Sequence, residues 1–406
     1  MNYLKIAWRN SMRNKRRTII TASSVFFAVF LALIMRSMQI GSYDNMINNI
    51  VGAFTGNIQI HKMGYWDDKI IDNSFEFTEE TKQIITNTTH ITAISPRIES
   101  FALASHQNKS KGIMVAGIDP THENNFSKLK DKLINGEYLN QNDNRVLISE
   151  GLAQYLKVSV NDSIILMGQG YHGMSAAGIY PIAGIVKFPS PELNKRLVYL
   201  NLKSMQEFTS LDNKITSLSI RINDDKYQHS VINSLKNQLP KDQHEIMSWQ
   251  QLSPDLSQSI EADNASGIIM LAVLYIIVAF GIFGTLLMMI TERIREFGVM
   301  MAVGMRKSKI AFLVFCEIMI IGFIGLFSGV AISAPVILAF FYHPYRYTGE
   351  MAAMMEQYGM EPILQFAIQP DFYINQTITV FVIILFLVMI PISKILRLKT
   401  INALRS

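Results

Sequence analysis

The polar and apolar positions divide the chain into two kinds of segment. Four runs are apolar on every face: residues 18–40, 267–290, 310–341 and 374–395. A helix needs about 20 apolar residues to cross a hydrocarbon core roughly 30 Å thick, so each run predicts a transmembrane helix. The third is longer than one crossing needs. Pro335 is expected to bend it, or its end to lie in the interface.

Residues 41–266 follow a different pattern. Strand-like alternation appears at 56–61, 94–104 and 111–118, the last two facing each other across a polar turn at 105–110. Helical patterns follow at 124–133 and 150–157. "DSIILMG", "IYPIAGIVKF", "RLVYLNL", "ITSLSIRI" and "HEIMSW" read as strands, and "QHSVINSLKNQL" as a helix. The expected fold is a membrane protein of four transmembrane α-helices, with a large mixed α/β domain between spans one and two. A subdomain boundary is expected near 119–121 or 140–144. Residues 42–50 and 253–263 are expected to extend spans one and two as stalks.

Two short segments are amphipathic. In residues 1–17, Leu4, Trp8 and Met12 recur every fourth position, with Lys5, Arg9 and Arg13 on a neighbouring face. That pattern suits a helix lying on the inner leaflet. In residues 291–309, Ile294, Phe297 and Met301 fall at i, i+3 and i+7. Glu292, Arg293, Arg295 and Glu296 flank them, and Gly298 and Gly304 interrupt. An apolar stripe edged by charges suits the groove of a cytosolic partner, the charges fixing its orientation. A plain basic loop would explain the arginines but not the interleaved acids.

Charge fixes the expected orientation. Lys5, Arg9, Arg13, Lys15, Arg16 and Arg17 precede span one; Arg293, Arg295, Arg306, Lys307 and Lys309 lie in 291–309; Lys394, Arg397, Lys399 and Arg405 follow span four. Residues 342–373 hold Arg346 against Glu350, Glu356, Glu361 and Asp371. The excess of basic residues marks the cytoplasmic side. Both termini and 291–309 are therefore expected inside, and 41–266 and 342–373 outside. The net charge of +5 is then explained by anionic lipid on the inner face, with no nucleic-acid partner. The single cysteine, Cys316, falls inside span three and reads as a packing residue.

The spans carry little ionisable chemistry. Arg36 lies near the outer end of span one, and Glu317 is about two turns into span three. Glu317 reads as a polar contact between helices, since one acid makes no proton relay. Ser24, Ala28 and Ala32 recur every fourth residue in span one, and Gly325 and Gly329 form a GxxxG in span three, with Gly322 nearby. Such faces let helices approach closely, within one chain or between two. The pattern suggests a bundle that shifts, and no pore. No HExxH or GxSxG occurs, which leaves no catalytic or metal site to assign.

"ERIREFGVMMAVGMRKSKI" resembles the coupling segment of the FtsX-like ABC transporter permease superfamily, of the macrolide-exporter and lipoprotein-release type. Its pattern Glu-Arg-x-Arg-Glu-Phe-Gly-x-x-x-Ala-x-Gly is matched by Glu292, Arg293, Arg295, Glu296, Phe297, Gly298, Ala302 and Gly304. Glu317 with Gly322, Gly325 and Gly329 is similar to the family's third span. "LKIAWRNSMRNKRRT" resembles its opening, "LISEGLAQYLKVSVNDSIIL" its outer domain, and "PISKILRLKTINALRS" its closing segment. The resemblance implies an inner-membrane subunit that pairs with a second permease subunit, alike or different. Each would receive a cytosolic ABC ATPase at the short helix after span two, and ATP-driven motion would pass through the stalks to the outer domain. No Gly-Lys pair occurs, so there is no phosphate-cradling loop; ATP and Mg are expected on the partner ATPase, with no cofactor in this chain. Release of lipoproteins, with a periplasmic carrier, is the function implied first. Regulation or sensing of cell-wall hydrolases or peptides, and efflux, are the alternatives. The loop 342–373 is longer than the family's usual connection. Its Met351, Met354, Met355 and Met360 suggest an adaptable apolar surface or a helix in the interface.

Overall fold

The computed structural model of the protein describes residues 3–240, 242–357 and 361–398. The chain forms two units. One holds the chain up to Asp44, Ser259–Arg346 and the stretch from Ile363; the other holds Asn45–Gln258 and Tyr347–Pro362. Met360 and the end of the expected closing segment, 399–406, lie outside the described residues.

The first unit is helical. Its helices are α1 (Tyr3–Arg13), α2 (Lys15–Ile47), α3 (Pro254–Glu292), α4 (Ile294–Ala302), α5 (Lys307–Tyr342) and α6 (Pro370–Arg397). Four of them, α2, α3, α5 and α6, are long and apolar enough to cross a membrane. The helices outrun the apolar cores that predict them. Helix α3 begins at Pro254, and α2 continues past Ile47 as a π-helix over Asn48–Thr55. Pro335 sits within an unbroken α5. The expected single helix over 1–17 divides at Asn14. Its small face, Ala7 and Ser11, packs on α5 beside Leu313 and Cys316, and leaves Leu4, Trp8 and Met12 exposed. Arg36 does not stand free: its Nη1 donates to Gln39 Oε1 and Asn264 Oδ1, both at 2.7 Å.

The glycines of α5 explain its seat. A Cβ built on Gly325 would lie 2.6 Å from Val25 Cβ and 2.7 Å from the Ala22 carbonyl; on Gly329 it would lie 2.8 Å from Val29 Cβ. On Gly322 it would meet Ile384 of α6 at 3.4 Å. The face of α2 against these glycines is therefore Ala22, Val25, Phe26 and Val29, a 3.6-residue stripe. The series Ser24, Ala28 and Ala32 lies beside this stripe on α2. Ala28 and Ala32 are buried, whereas Ser24 is half-buried and turns its hydroxyl onto the Ile20 carbonyl at 3.1 Å.

The second unit holds a ten-stranded mixed sheet. Its strands are β1 (Ile58–Lys62), β2 (Ile91–His106), β3 (Lys109–Ile118), β4 (Leu133–Gly136), β5 (Val146–Ser149), β6 (Ser163–Gln169), β7 (Ser175–Val186), β8 (Leu197–Asn201), β9 (Ser217–Ile222) and β10 (His244–Ser248). The order is β10-β1-β9-β2-β3-β8-β5-β7-β4, and β6 bridges β7 back to β2. That bridge closes six strands into a ring around Ile98, Ile113, Ile148, Ile164, Leu166 and Ile182. Strands β2 and β3 pair through to His106 and Lys109, so the turn is tighter than the six-residue one expected. The helix expected over 124–133 is instead Pro120–Ser127, capped by Asp119 Oδ1 and followed by a 3₁₀ turn. No division falls near 119–121 or 140–144, because one sheet runs through both. Part of the 342–373 loop joins this unit. It carries the helix Glu350–Gln357, with Met351 and Met354 exposed, and Glu361 accepts from Asn45 and Asn49 at 3.1 and 2.7 Å.

A buried ion pair crosses this unit. Arg97 on β2 binds Glu123 through Nε and Nη2, each at 2.8 Å, and its Nη1 donates to the Phe54 carbonyl at 2.5 Å. The guanidinium lies between the rings of Phe54 and Phe126, 4.7 and 5.0 Å from their centroids. The pair thus fastens the π-helical turn Asn48–Thr55 to the sheet.

His61 on β1 gives this unit a pH dependence. It is buried, bonded to Gln59 Oε1 at 3.0 Å and stacked on Tyr65. Burial, helped by the Lys69 charge, lowers its pKa from 6.5 to about 3. The unfolded chain therefore takes up a proton near pH 6.5 that the folded one refuses until about pH 3. Stability from this group is present above pH 6.5 and is lost as pH falls towards 3, by about 1.3 kcal/mol between pH 7 and 5.5. Unfolding followed by Trp66 and Trp249 fluorescence should show this loss. A His61→Gln variant should flatten it; an unchanged slope would refute the assignment.

Candidate functional site

Helix α3 ends at Glu292 because Arg293 leaves the helical region, at φ −108° and ψ 7°. Helix α4 then runs to Ala302 and stops at Gly304, whose φ of +99° only glycine adopts without strain. Gly298 does not interrupt it; it lies buried within the helix. Two turns are thus defined by one arginine and one glycine, and α4 is held between them.

A cluster of charge holds α4 to the bundle. Glu317 on α5 is fully buried. Its Oε2 accepts from Arg293 Nη1 at 2.7 Å, and Arg293 Nε also donates to Glu296 at 2.9 Å. The Arg293 guanidinium lies 5.4 Å from the Phe297 ring centroid. Arg17 of α2 approaches from the other side, with Nη2 3.6 Å from Glu317 Oε1 and Nη1 3.8 Å from Glu292. Arg13 and Glu296 are 3.5 Å apart. The six groups balance as three cations and three anions. A buried carboxylate is costly unless paired, so this site fixes the relative positions of α2, α4 and α5.

The structure sorts the expected site residues into two sets. Phe297 is 1% exposed and Gly298 is buried, while Ile294 and Met301 pack on the helical core. The i, i+3, i+7 stripe is therefore turned into this chain's own bundle and offers no apolar side to a partner. Glu292, Arg295, Glu296, Ala302 and Gly304 are exposed. The apolar groups that do face outward are Val299 and Val303, the latter 84% exposed. Sequence reasoning assigned these valines no role, because they fall off the stripe, and read Arg17 only as part of the basic flank.

A second surface was not foreseen. On the outside of the ring, Leu103 pairs with Met167 and Ile165 with Ile179 across β2, β6 and β7. Phe101 and Ile179 are 65% and 68% exposed. Alternate residues in 101–105, 110–114, 163–169 and 175–181 point outward, and none is charged. A contiguous apolar face on a sheet marks an interaction surface. Single-strand alternation could not reveal it, because the face exists only after four strands are in register.

Four membrane-length helices, a mixed α/β domain between the first and second, and a charge-tethered short helix between the second and third define a polytopic α-helical membrane protein with one large inserted domain. The model of the FtsX-like permease C-terminal family matches residues 268–400, and that of the MacB-like periplasmic core domain matches residues 18–238. The chain belongs to the FtsX-like family of ABC transporter permeases. It is 20% identical over 342 residues to the lipoprotein-releasing system transmembrane protein LolC of Neisseria meningitidis serogroup B, covering 81% of this chain and 79% of that protein. It is 21% identical over 351 residues to the macrolide export ATP-binding/permease protein MacB of Campylobacter jejuni subsp. jejuni, covering 83% of this chain and 53% of the relative. The chain thus spans about half the length of that MacB. The periplasmic region of MacB from Actinobacillus actinomycetemcomitans is similar at 17% identity and a TM-score of 0.35, over 53% of this chain and 95% of that one.

Proposed function

We propose that this permease receives ATP-driven motion from a separate cytosolic ATPase at α4 and passes it to the extracytoplasmic domain, where it serves the release of lipoproteins from the inner membrane. The observation that carries the first part is α4 itself. Val299 and Val303 project from a helix whose inner side is anchored by Phe297 and by the Arg293–Glu317 pair. A push on the exposed valines is then a push on α2 and α5. Among the described residues, Glu317 is the one acidic or basic side chain fully buried within the membrane-length helices, and it is answered by arginine. A substrate handled on the outer side needs no polar route through the spans. The uncharged sheet face supports docking of an apolar-faced partner there, and the LolC relative is named for lipoprotein release.

Valine-to-aspartate changes test the coupling. Val303→Asp should reduce stimulation of the co-purified ATPase at least tenfold and leave the thermal unfolding of the permease within about 1 kcal/mol of the parent, since an exposed side chain costs little. Undiminished stimulation would remove α4 as the docking element. For the substrate, spheroplasts given ATP and a soluble acceptor should release lipidated protein; release independent of this permease would defeat the lipoprotein reading.

A further inference from the structure

Glu317 has two cations for one carboxylate, and they are not used alike. Arg293 makes the short hydrogen bond at 2.7 Å. Arg17 stands back at 3.6 Å, and Glu317 Oε1 accepts no hydrogen bond. Among the described residues, Arg17 Nε and Nη1 are likewise buried without a hydrogen-bond partner. Orphaned buried donors beside an orphaned buried acceptor are costly, so an arrangement that leaves them apart calls for a reason. The three residues also belong to three different elements: α2, the α3–α4 joint and α5.

We infer that Glu317 is a two-partner latch, held by Arg293 when α4 is seated and taken over by Arg17 when α4 is drawn away from the bundle. The inference rests on the coupling reading of α4. The physical argument is continuity of pairing. If Arg293 were the sole partner, moving α4 would strand an unpaired carboxylate in the bundle, which is strongly unfavourable. That cost would lock α4 down. With Arg17 already within an ångström of bonding distance, a side-chain rotation satisfies Glu317 Oε1 and the Arg17 donors together. Both positions of α4 then keep the buried acid paired, and the free-energy gap between them falls into the range a partner's binding can reverse. Arg17 is a positioning residue in this scheme, acting on α4 through Glu317. Glu292, 3.8 Å from Arg17, holds it in reserve while α4 is seated.

The latch is tested on the full chain with its ATPase. Arg293→Gln and Arg17→Gln should each keep the yield of folded protein within about twofold, because one arginine remains for Glu317. The double variant should lose it at least tenfold, and adding Glu317→Gln should restore it. Spin labels at Ala302→Cys and Lys15→Cys, both exposed, with Cys316→Ala, report the position of α4. Arg293→Gln should shift the label distance before ATP is added, and Arg17→Gln should keep the resting distance but suppress the ATP-driven shift. A merely structural Arg17 would leave that shift intact, which would overturn the inference. So would a loss in Arg293→Gln alone as large as in the double variant. If the unaltered complex shows no label shift on binding ATP, the coupling reading itself fails, and the latch fails with it. The folding pattern across the variants separates that result from failure of the pairing alone.

Discussion

Replacing Glu123 with alanine should lower the unfolding temperature of the α/β domain by roughly 10 °C, from a loss of about 3–5 kcal/mol. The reason is the partner left behind. Arg97 is fully buried, and Glu123 accepts two of its donors as well as the hydroxyls of Ser95 and Ser127, at 2.7 and 2.6 Å. Removing the carboxylate takes both short bonds from a buried guanidinium and leaves the Ser95 hydroxyl without its acceptor, whereas Ser127 keeps the Glu123 backbone carbonyl at 3.2 Å. The Phe54 carbonyl and the Glu99 carboxylate, 3.8 Å from Nη1, remain near the guanidinium, but neither replaces the two short bonds to Glu123. Removing both charges is a different experiment. Arg97→Met with Glu123→Leu should recover most of the loss, because apolar side chains of similar size need no partner. Denaturant unfolding read through Trp66 and Trp249 fluorescence measures both. If Glu123→Ala stays within 1 kcal/mol of the parent, the pair does not hold the domain.

Gly325→Val should cost about 3 kcal/mol in the helical unit, the upper part of the usual range for overpacking. The new Cβ would fall 2.6 Å from Val25 Cβ and 2.7 Å from the Ala22 carbonyl. One obstacle is a side-chain stem and the other is backbone, so neither can rotate away, and α2 and α5 must separate. The neighbouring case supplies the control. A Cβ on Gly281 of α3 meets nothing within 4 Å, so Gly281→Val should be tolerated. Thermal unfolding in detergent distinguishes the two sites. Equal behaviour of the variants would mean that the close approach of α2 and α5 contributes nothing to assembly.

The expectation and the structure part company most clearly at α4. Sequence spacing finds a helix there and finds its apolar stripe, Ile294, Phe297 and Met301. Spacing alone cannot say which apolar groups meet their own chain and which meet another. The bundle buries Phe297 and leaves Val303 out. The Arg97–Glu123 pair was equally hidden. Its members lie 26 residues apart and join only when β2 and Pro120–Ser127 come together. In the series Ser24, Ala28 and Ala32, two members are buried as a packing face requires and Ser24 is half-buried, while the groups that meet Gly325 and Gly329 are their neighbours Ala22, Val25, Phe26 and Val29.

By itself the sequence determined the four spans, the α/β domain between the first two, the short charged helix and the family pattern it carries. These depend on local composition and period, which are properties of neighbouring residues. The tertiary structure alone decided that Glu317 is paired with Arg293 and overlooked by Arg17, that a sheet closes into a ring with an uncharged face, and which side of α4 is free. Each of these is a contact between residues far apart in the chain. Such contacts are set by how helices and strands pack, and packing is a property of the whole fold.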